Sequence, residues 1–252
     1  GDTLAKIAAE KAGIIKPSVP CVVGPQPDEA LEVIEAVAQR LQAPTFIYGQ
    51  HWHVYEERNR LVYQDERGLL DLPLPVLPGA HQIYNAGAAL AALRHLDLPE
   101  TGFEAAVTRA HWPARLQRLK TGPLKDMAPD ADLWLDGGHN AAAGHALASH
   151  LAQQSLRPTY LICGMLNTKD VTGYLAPMAP YVAELLAVSI PSEANTLPAE
   201  TTATAAKSVG MTATTADTVN AAVVKILKSD PASRILICGS LYLAGQILRE
   251  NA

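Results

Sequence analysis

The chain has 252 residues, with 20 Lys+Arg against 25 Asp+Glu and a net charge of −5, long enough for one large or two modest domains. With 48% hydrophobic and 18% charged residues it carries enough apolar surface to offset the entropy of ordering, which excludes a disordered chain. The acidic balance without a Lys/Arg run argues against nucleic-acid binding, and no apolar stretch approaches the ~20 residues that cross a bilayer.

Three cysteines, Cys21, Cys163 and Cys238, are odd in number, widely spaced and set in apolar runs. They predict buried free thiols in a reducing cytoplasm. Residues 1–6 lack the apolar core of a secretory signal. The sequence opens at Gly1 without an initiator Met and enters a helical pattern at once, so a fragment of a longer protein is expected.

In chain order, Leu4, Ile7, Ala8, Ala12 and Ile15 predict a helix over 4–15, and Val19 to Val23 a buried strand ended by Gly24-Pro25. A second helix is expected over 28–42. Phe46 to Tyr48, Trp52 to Tyr55 and Leu61 to Tyr63 read as a small meander. The proline-rich run from Leu72 to Pro78 excludes a central strand. Helices follow over 82–96 and 103–110, and the segment to about 108 reads as the end of one α/β domain.

Beyond it, strand candidates 133–135, 160–163, 185–190, 211–214 and 234–238 alternate with helical stretches at 141–154, 170–179, 198–208, 216–229 and 241–250. Strict alternation implies a mainly parallel sheet covered on both faces, with ligands at the carboxyl ends of its strands.

Chemistry is expected at those ends. Asp136-Gly137-Gly138-His139-Asn140 follows the strand 133–135 and offers a carboxylate, an imidazole and an amide, with Asn140 equally suited to cap the next helix. Gly239-Ser240 offers a hydroxyl and the free amides of a helix start, alone a weak signal for an anion. Lys169-Asp170 reads as an anion contact or, more simply, a solvated loop. Lys11, between Ala and Gly residues, is either half buried or a snorkelling surface lysine. His81-Gln82 with Asn85 could read a base edge, and Arg115 stands near Trp112 at the domain junction. No Gly-x-x-x-x-Gly-Lys-Ser/Thr, Gly-x-Gly-x-x-Gly, paired-Cys, His-x-x-x-His or Gly-x-Ser-x-Gly motif occurs, so phosphate-loop, zinc and hydrolase-elbow readings have no support.

Taken together, Gly1-Asp2-Thr3-Leu4 through Glu10-Lys11-Ala12-Gly13, His81-Gln82 with Asn85-Ala86, Trp112-Pro113-x-Arg115-x-Gln117, Leu135-Asp136-Gly137-x-His139-Asn140 and Gly239-Ser240-Leu241-Tyr242 resemble the folylpolyglutamate synthase and dihydrofolate synthase family of the Mur ligase superfamily. The resemblance implies an α/β protein. Residues 1–108 would be the remainder of the central P-loop-type ATPase domain, and 109–252 a Rossmann-like, glutamate-binding C-terminal domain. The family's phosphate loop, other magnesium ligands and most of the pterin pocket would precede Gly1, leaving this chain inactive alone.

The implied activity joins L-glutamate to dihydropteroate or reduced folates through an acyl phosphate made with ATP and Mg²⁺, in a cytoplasmic monomer. By the same resemblance Lys11 is the carbamylated lysine that holds magnesium. Asn85 meets adenine, Arg115 and Asp136 make the remaining ATP contacts, and His139 and Ser240 hold the incoming glutamate, with Lys11 and His139 as the catalytic groups. The family usually has Gly at 114, Ala at 138 and Pro at 141, where this chain has Ala114, Gly138 and Ala141, changes expected to alter loop stiffness. Two rivals are a cell-wall Mur-type ligase and a non-catalytic module that binds an amino acid or nucleotide.

Overall fold

The computed structural model describes residues 3–155 and 157–251. Gly1 and Asp2 of the first motif lie outside the described residues. The chain divides into two compact units, Gly1–His111 and Trp112–Ala252.

In the first unit, α1 (Leu4–Ala12) is capped by Thr3, whose hydroxyl accepts from Lys6 N–H, and closes at Gly13, three residues short of the expected end. β1 (Cys21–Val23) and β2 (Thr45–Ile47) form a two-stranded parallel pair, with α2 (Asp28–Arg40) between them in sequence. β1 begins later than expected because Pro20 has no N–H to give a ladder.

The meander is β3 (Trp52–Glu57), β4 (Arg60–Asp65) and β5 (Gly68–Pro73). Phe46 therefore belongs to the parallel pair, and the third meander strand is one that the prolines had hidden. Pro73 is tolerated because β5 is an edge strand and Pro73 its last residue. α3 (His81–His95) and α4 (Phe103–Thr108) complete the unit, with Trp52, Val54, Leu61, Tyr63, Leu90 and Phe103 in one core.

At its edge Arg94, 3% exposed, pairs with Asp65 and, at 2.8 Å, with Glu100. It also donates to the Gly68 carbonyl at 3.1 Å and lies over the Tyr63 ring. Burial and the neighbouring Asp65 push the Tyr63 hydroxyl well above its ordinary range.

The second unit contains β6 (Gln117–Arg118), α5 (Pro123–Met127), β7 (Asp132–Leu135), α6 (Ala141–Ala152), β8 (Thr159–Cys163) and α7 (Val171–Leu175). A 3₁₀ turn (Ala176–Tyr181), β9 (Glu184–Ala187), α8 (Ala199–Ser208), β10 (Ala213–Thr215), α9 (Val219–Ser229), β11 (Arg234–Cys238) and α10 (Leu241–Glu250) follow. The helix expected over 170–179 tightens to 3₁₀ at Ala176 because Pro177 and Pro180 interrupt the α-helical bonding.

The six strands lie in the order β10-β9-β8-β11-β7-β6, parallel except for β6 against β7. One face packs Leu133, Leu135, Ile162, Ile235 and Ile237 against α9 and α10. The other packs Leu161, Cys163, Leu236 and Cys238 against α6, α7 and α8. Cover on both faces is why these strands are apolar at successive positions rather than at alternate ones.

Under α6 the His150 ring meets Trp134 edge-on at 5.5 Å. Burial, reinforced by the Arg234 charge, holds this imidazole below its ordinary 6.5 against the opposing pull of Asp132 and Asp136. The unfolded chain therefore takes up this proton first, and stability declines as pH falls below 6.5 toward the lower folded value. Thermal melts between about pH 7.5 and 5 should show His150→Gln with a shallower fall in Tm than the parent.

Candidate functional site

Because β8, β11 and β7 are neighbours and parallel, the loops leaving their carboxyl ends adjoin. Gly239, at φ +104°, lies so close to the β8 exit that an added Cβ would come within 2.7 Å of the Gly164 carbonyl. A Cβ on Gly137 would run into the Leu241 side chain. Glycine at these two positions lets the β11 loop close over its neighbours.

Five of the expected residues gather here. Ser240, 2% exposed, caps α10 with its Oγ accepting the Tyr242 N–H at 3.1 Å, a bond that leaves its hydroxyl hydrogen for another acceptor. His139 is half-buried, and its Nδ1 stands 3.0 Å from the Gly137 carbonyl oxygen. A carbonyl only accepts, so Nδ1 carries the hydrogen and, in the neutral ring, Nε2 carries the lone pair. Asn140 caps α6 by accepting from Ala143 N–H at 2.9 Å.

Asp136, 7% exposed, accepts from Leu116 N–H at 2.8 Å and from Gly138 N–H at 2.7 Å. Arg115 is half-buried between Ala114 and Leu116, which have φ +55° and +44°. Gln117 Oε1 accepts from Ala114 N–H at 2.9 Å, closing the turn.

Asp170 serves as a helix cap, accepting from Gly173 N–H at 2.9 Å and Thr172 Oγ1 at 3.0 Å. Those bonds hold its carboxyl below the usual range. The loop reading of Lys169-Asp170 thus has its structural reason.

The other expected residues, Lys11 and the His81-Gln82-Asn85 group, lie in the first unit. Lys11 is exposed on the last turn of α1 rather than half buried. Among the described residues no group of three or more His, Cys, Asp or Glu side chains could hold a metal ion. These residues do not make a magnesium site by themselves.

Asn85 is exposed on the first turns of α3 and donates through Nδ2 to Gln82 Oε1 at 3.0 Å, while Gln82 Nε2 stands 3.0 Å from His81 Nε2. The Asn85 amide keeps one N–H and its carbonyl oxygen, the donor–acceptor pair that suits an adenine edge. These residues fit a nucleotide base.

Residues 118–250 match the family described as dihydrofolate synthetase, C-terminal domain. The chain belongs to that family. It is 26% identical over 259 residues to a folylpolyglutamate synthase of Lacticaseibacillus casei, covering 98% of this chain and 57% of that protein. Its fold matches a folylpolyglutamate synthase of Mycobacterium tuberculosis solved with ADP and AMPPCP, with TM-score 0.84 and 27% identity over 100% of this chain and 60% of that one. It also matches a bifunctional folylpolyglutamate synthase/dihydrofolate synthase solved with Mn, AMPPNP and L-glutamate, with TM-score 0.82 and 26% identity over 99% of this chain and 57% of that one. The chain thus spans about three-fifths of the length of these relatives.

The left-handed backbone at Ala114 costs an L-residue about 1–2 kcal/mol, which would favour the glycine that the resemblance implies there. Glycine relieves that strain but gives up the buried methyl and restores unfolded-state entropy. Denaturant melts should place Ala114→Gly within about 1 kcal/mol of the parent. Ala114→Val, β-branched at a positive φ, should lose at least about 2 kcal/mol.

Proposed function

We propose that this chain is part of an ATP-dependent ligase that joins L-glutamate to the carboxylate of dihydropteroate or of reduced folates. The first unit is then the remainder of the ATP-binding domain, and the second the glutamate-binding domain. The match over residues 118–250, which encloses Asp136, His139 and Ser240, carries this reading.

ATP supplies the phosphoryl group that activates the carboxylate for attack by an amine. Asn85 meets the adenine edge through the N–H and carbonyl that Gln82 leaves available, and Arg115 places a guanidinium against the phosphates, where a planar, always-charged donor set suits developing negative charge. An amine attacks only as the free base. His139, fixed by its Nδ1–H bond to Gly137, presents Nε2 as an acceptor for the ammonium proton of glutamate. Ser240 can donate to a glutamate carboxylate at the N-terminus of α10, where the peptide dipoles favour an anion.

Lys11, once carbamylated, adds a hard oxygen ligand of the kind Mg²⁺ prefers. The protein works in this reading in a reducing cytoplasm, supported by three unbridged cysteines, two of them buried.

The test is glutamate-dependent phosphate release from ATP by the full natural gene product, offered dihydropteroate, tetrahydrofolate and a muramyl substrate in turn. Turnover with a pterin substrate is expected. Turnover with the muramyl substrate alone would move the protein to the cell-wall branch, and silence with all three would leave a binding module. In the same protein Lys11→Ala should lower Mg²⁺-dependent turnover at least ~100-fold while changing stability by no more than about 0.5 kcal/mol, because the side chain is exposed. Parallel losses of activity and Tm would refute the metal role.

A further inference from the structure

β8 and β11 run out through the same four residues, Leu161-Ile162-Cys163-Gly164 and Leu236-Ile237-Cys238-Gly239. Their parallel register sets the two runs side by side, Leu161 against Leu236 and Cys163 against Cys238. Neighbouring strands lie about 4.7–4.9 Å apart, inside the ~4.4–6.8 Å between Cα atoms that a disulfide spans. Both thiols belong to the core on the same face of the sheet, under α6, α7 and α8, and the two residues are 0% and 1% exposed.

Each cysteine is the last residue of its strand, so the pair lies one residue beneath the loops of the carboxyl edge. Gly239 sits directly on it: an added Cβ there would come within 2.9 Å of Cys163 Sγ and of Met165 Sδ. Ser240 comes next in the chain. The ligase reading gives neither thiol a task. A single buried thiol is inert, because the thiolate is the reactive form. Two that face each other differ, since a sulfur oxidised at one has a second thiol beside it to close the bond. Burial and the facing Cys238 thiol push Cys163 well above its ordinary value, which leaves Cys238 to react first.

We propose that Cys163 and Cys238 are an oxidation site, a dithiol that hydrogen peroxide closes to a disulfide when the Gly164 and Gly239 loops part, and that closure displaces Ser240 and weakens the hold on glutamate. The effect on glutamate rests on the reading of Ser240 as a group that holds this substrate. Cys238 Sγ takes one peroxide oxygen as the O–O bond breaks, giving a sulfenic acid and water. Cys163 Sγ then attacks that sulfur, the S–O bond breaks, and the second oxygen leaves as water with the remaining thiol proton. Two thiols and one peroxide thus give one disulfide and two waters. In a reducing cytoplasm such a bond is transient, as cytosolic disulfides generally are.

The experiment treats the full natural gene product with hydrogen peroxide, maps its cysteine peptides without reduction, and measures KM for glutamate and for ATP before and after, with and without dithiothreitol. A Cys163 peptide linked to a Cys238 peptide is expected, with KM for glutamate raised ~5-fold or more, KM for ATP within about 2-fold of the untreated value, and full recovery in dithiothreitol. Cys163→Ala and Cys238→Ala should each keep their untreated KM for glutamate after peroxide. Free thiols or sulfinic acids in place of the link, a link that leaves KM unchanged, or a rise in KM that persists in both alanine variants would overturn the proposal.

The peptide map and the dithiothreitol reversal use the unsubstituted protein, so they decide even where an alanine in this core does not fold. A parent without glutamate-dependent turnover overturns the functional reading alone. Hydrogen exchange at the Gly239 and Ser240 amides then decides the proposal, upholding it if exchange is faster in the linked protein than in the reduced one and overturning it if the two match.

Discussion

Parallel neighbours can be joined only by a crossover that runs over a face of the sheet, and this constraint shapes the second unit. Every strand from β7 to β11 leaves at the same edge, and the order β8-β11-β7 sets the loops beginning at Asp136, Gly164 and Gly239 side by side. The crossovers cover both faces, so the middles of the strands must be apolar. Arg234 to Cys238 is buried along its whole length. Polar chemistry is confined to the two ends of the sheet. At the amino end Asp132 pairs with Arg118 at 2.7 Å and faces Arg234; at the carboxyl end stand Asp136, His139 and Ser240.

The first unit obeys the same rule with fewer strands. A parallel pair such as β1 and β2 cannot bury two faces by itself, and this unit draws its core from the antiparallel meander under α3 and α4. The Arg94–Asp65 pair shows the cost of that economy. Removing two charges from water is unfavourable unless further bonds satisfy them; here Glu100, the Gly68 carbonyl and the Tyr63 hydroxyl supply those bonds. No helix among the described residues is long and apolar enough to cross a membrane.

Much of this was legible in the sequence because alternating helix and strand periods leave few topologies open. The parallel sheet, the helices around it and the positions of the glycine-bearing loops follow from that pattern. The misses have local causes. β5 was hidden by prolines that an edge strand tolerates at its end, β6 is two residues long, and the helix at 170–179 contains two prolines that only the 3₁₀ turn accommodates. The left-handed backbone at Ala114 and Leu116 leaves no mark on residues of those types. Lys11 was open in the sequence between half burial and the surface, and the helix turns its side chain to solvent.

The residues at the carboxyl edge differ in what their structural bonds leave over, and this separates their chemical roles better than residue type does. Capping uses an oxygen lone pair. Ser240 spends one on the Tyr242 amide and retains a hydrogen to donate; His139 spends its Nδ1 hydrogen on Gly137 and retains an Nε2 lone pair. Each can serve the fold and a ligand at once, so reading either as a structural residue does not exclude reading it as a functional one. Asp136 has no hydrogen to give, and both of its oxygens have accepted backbone amides.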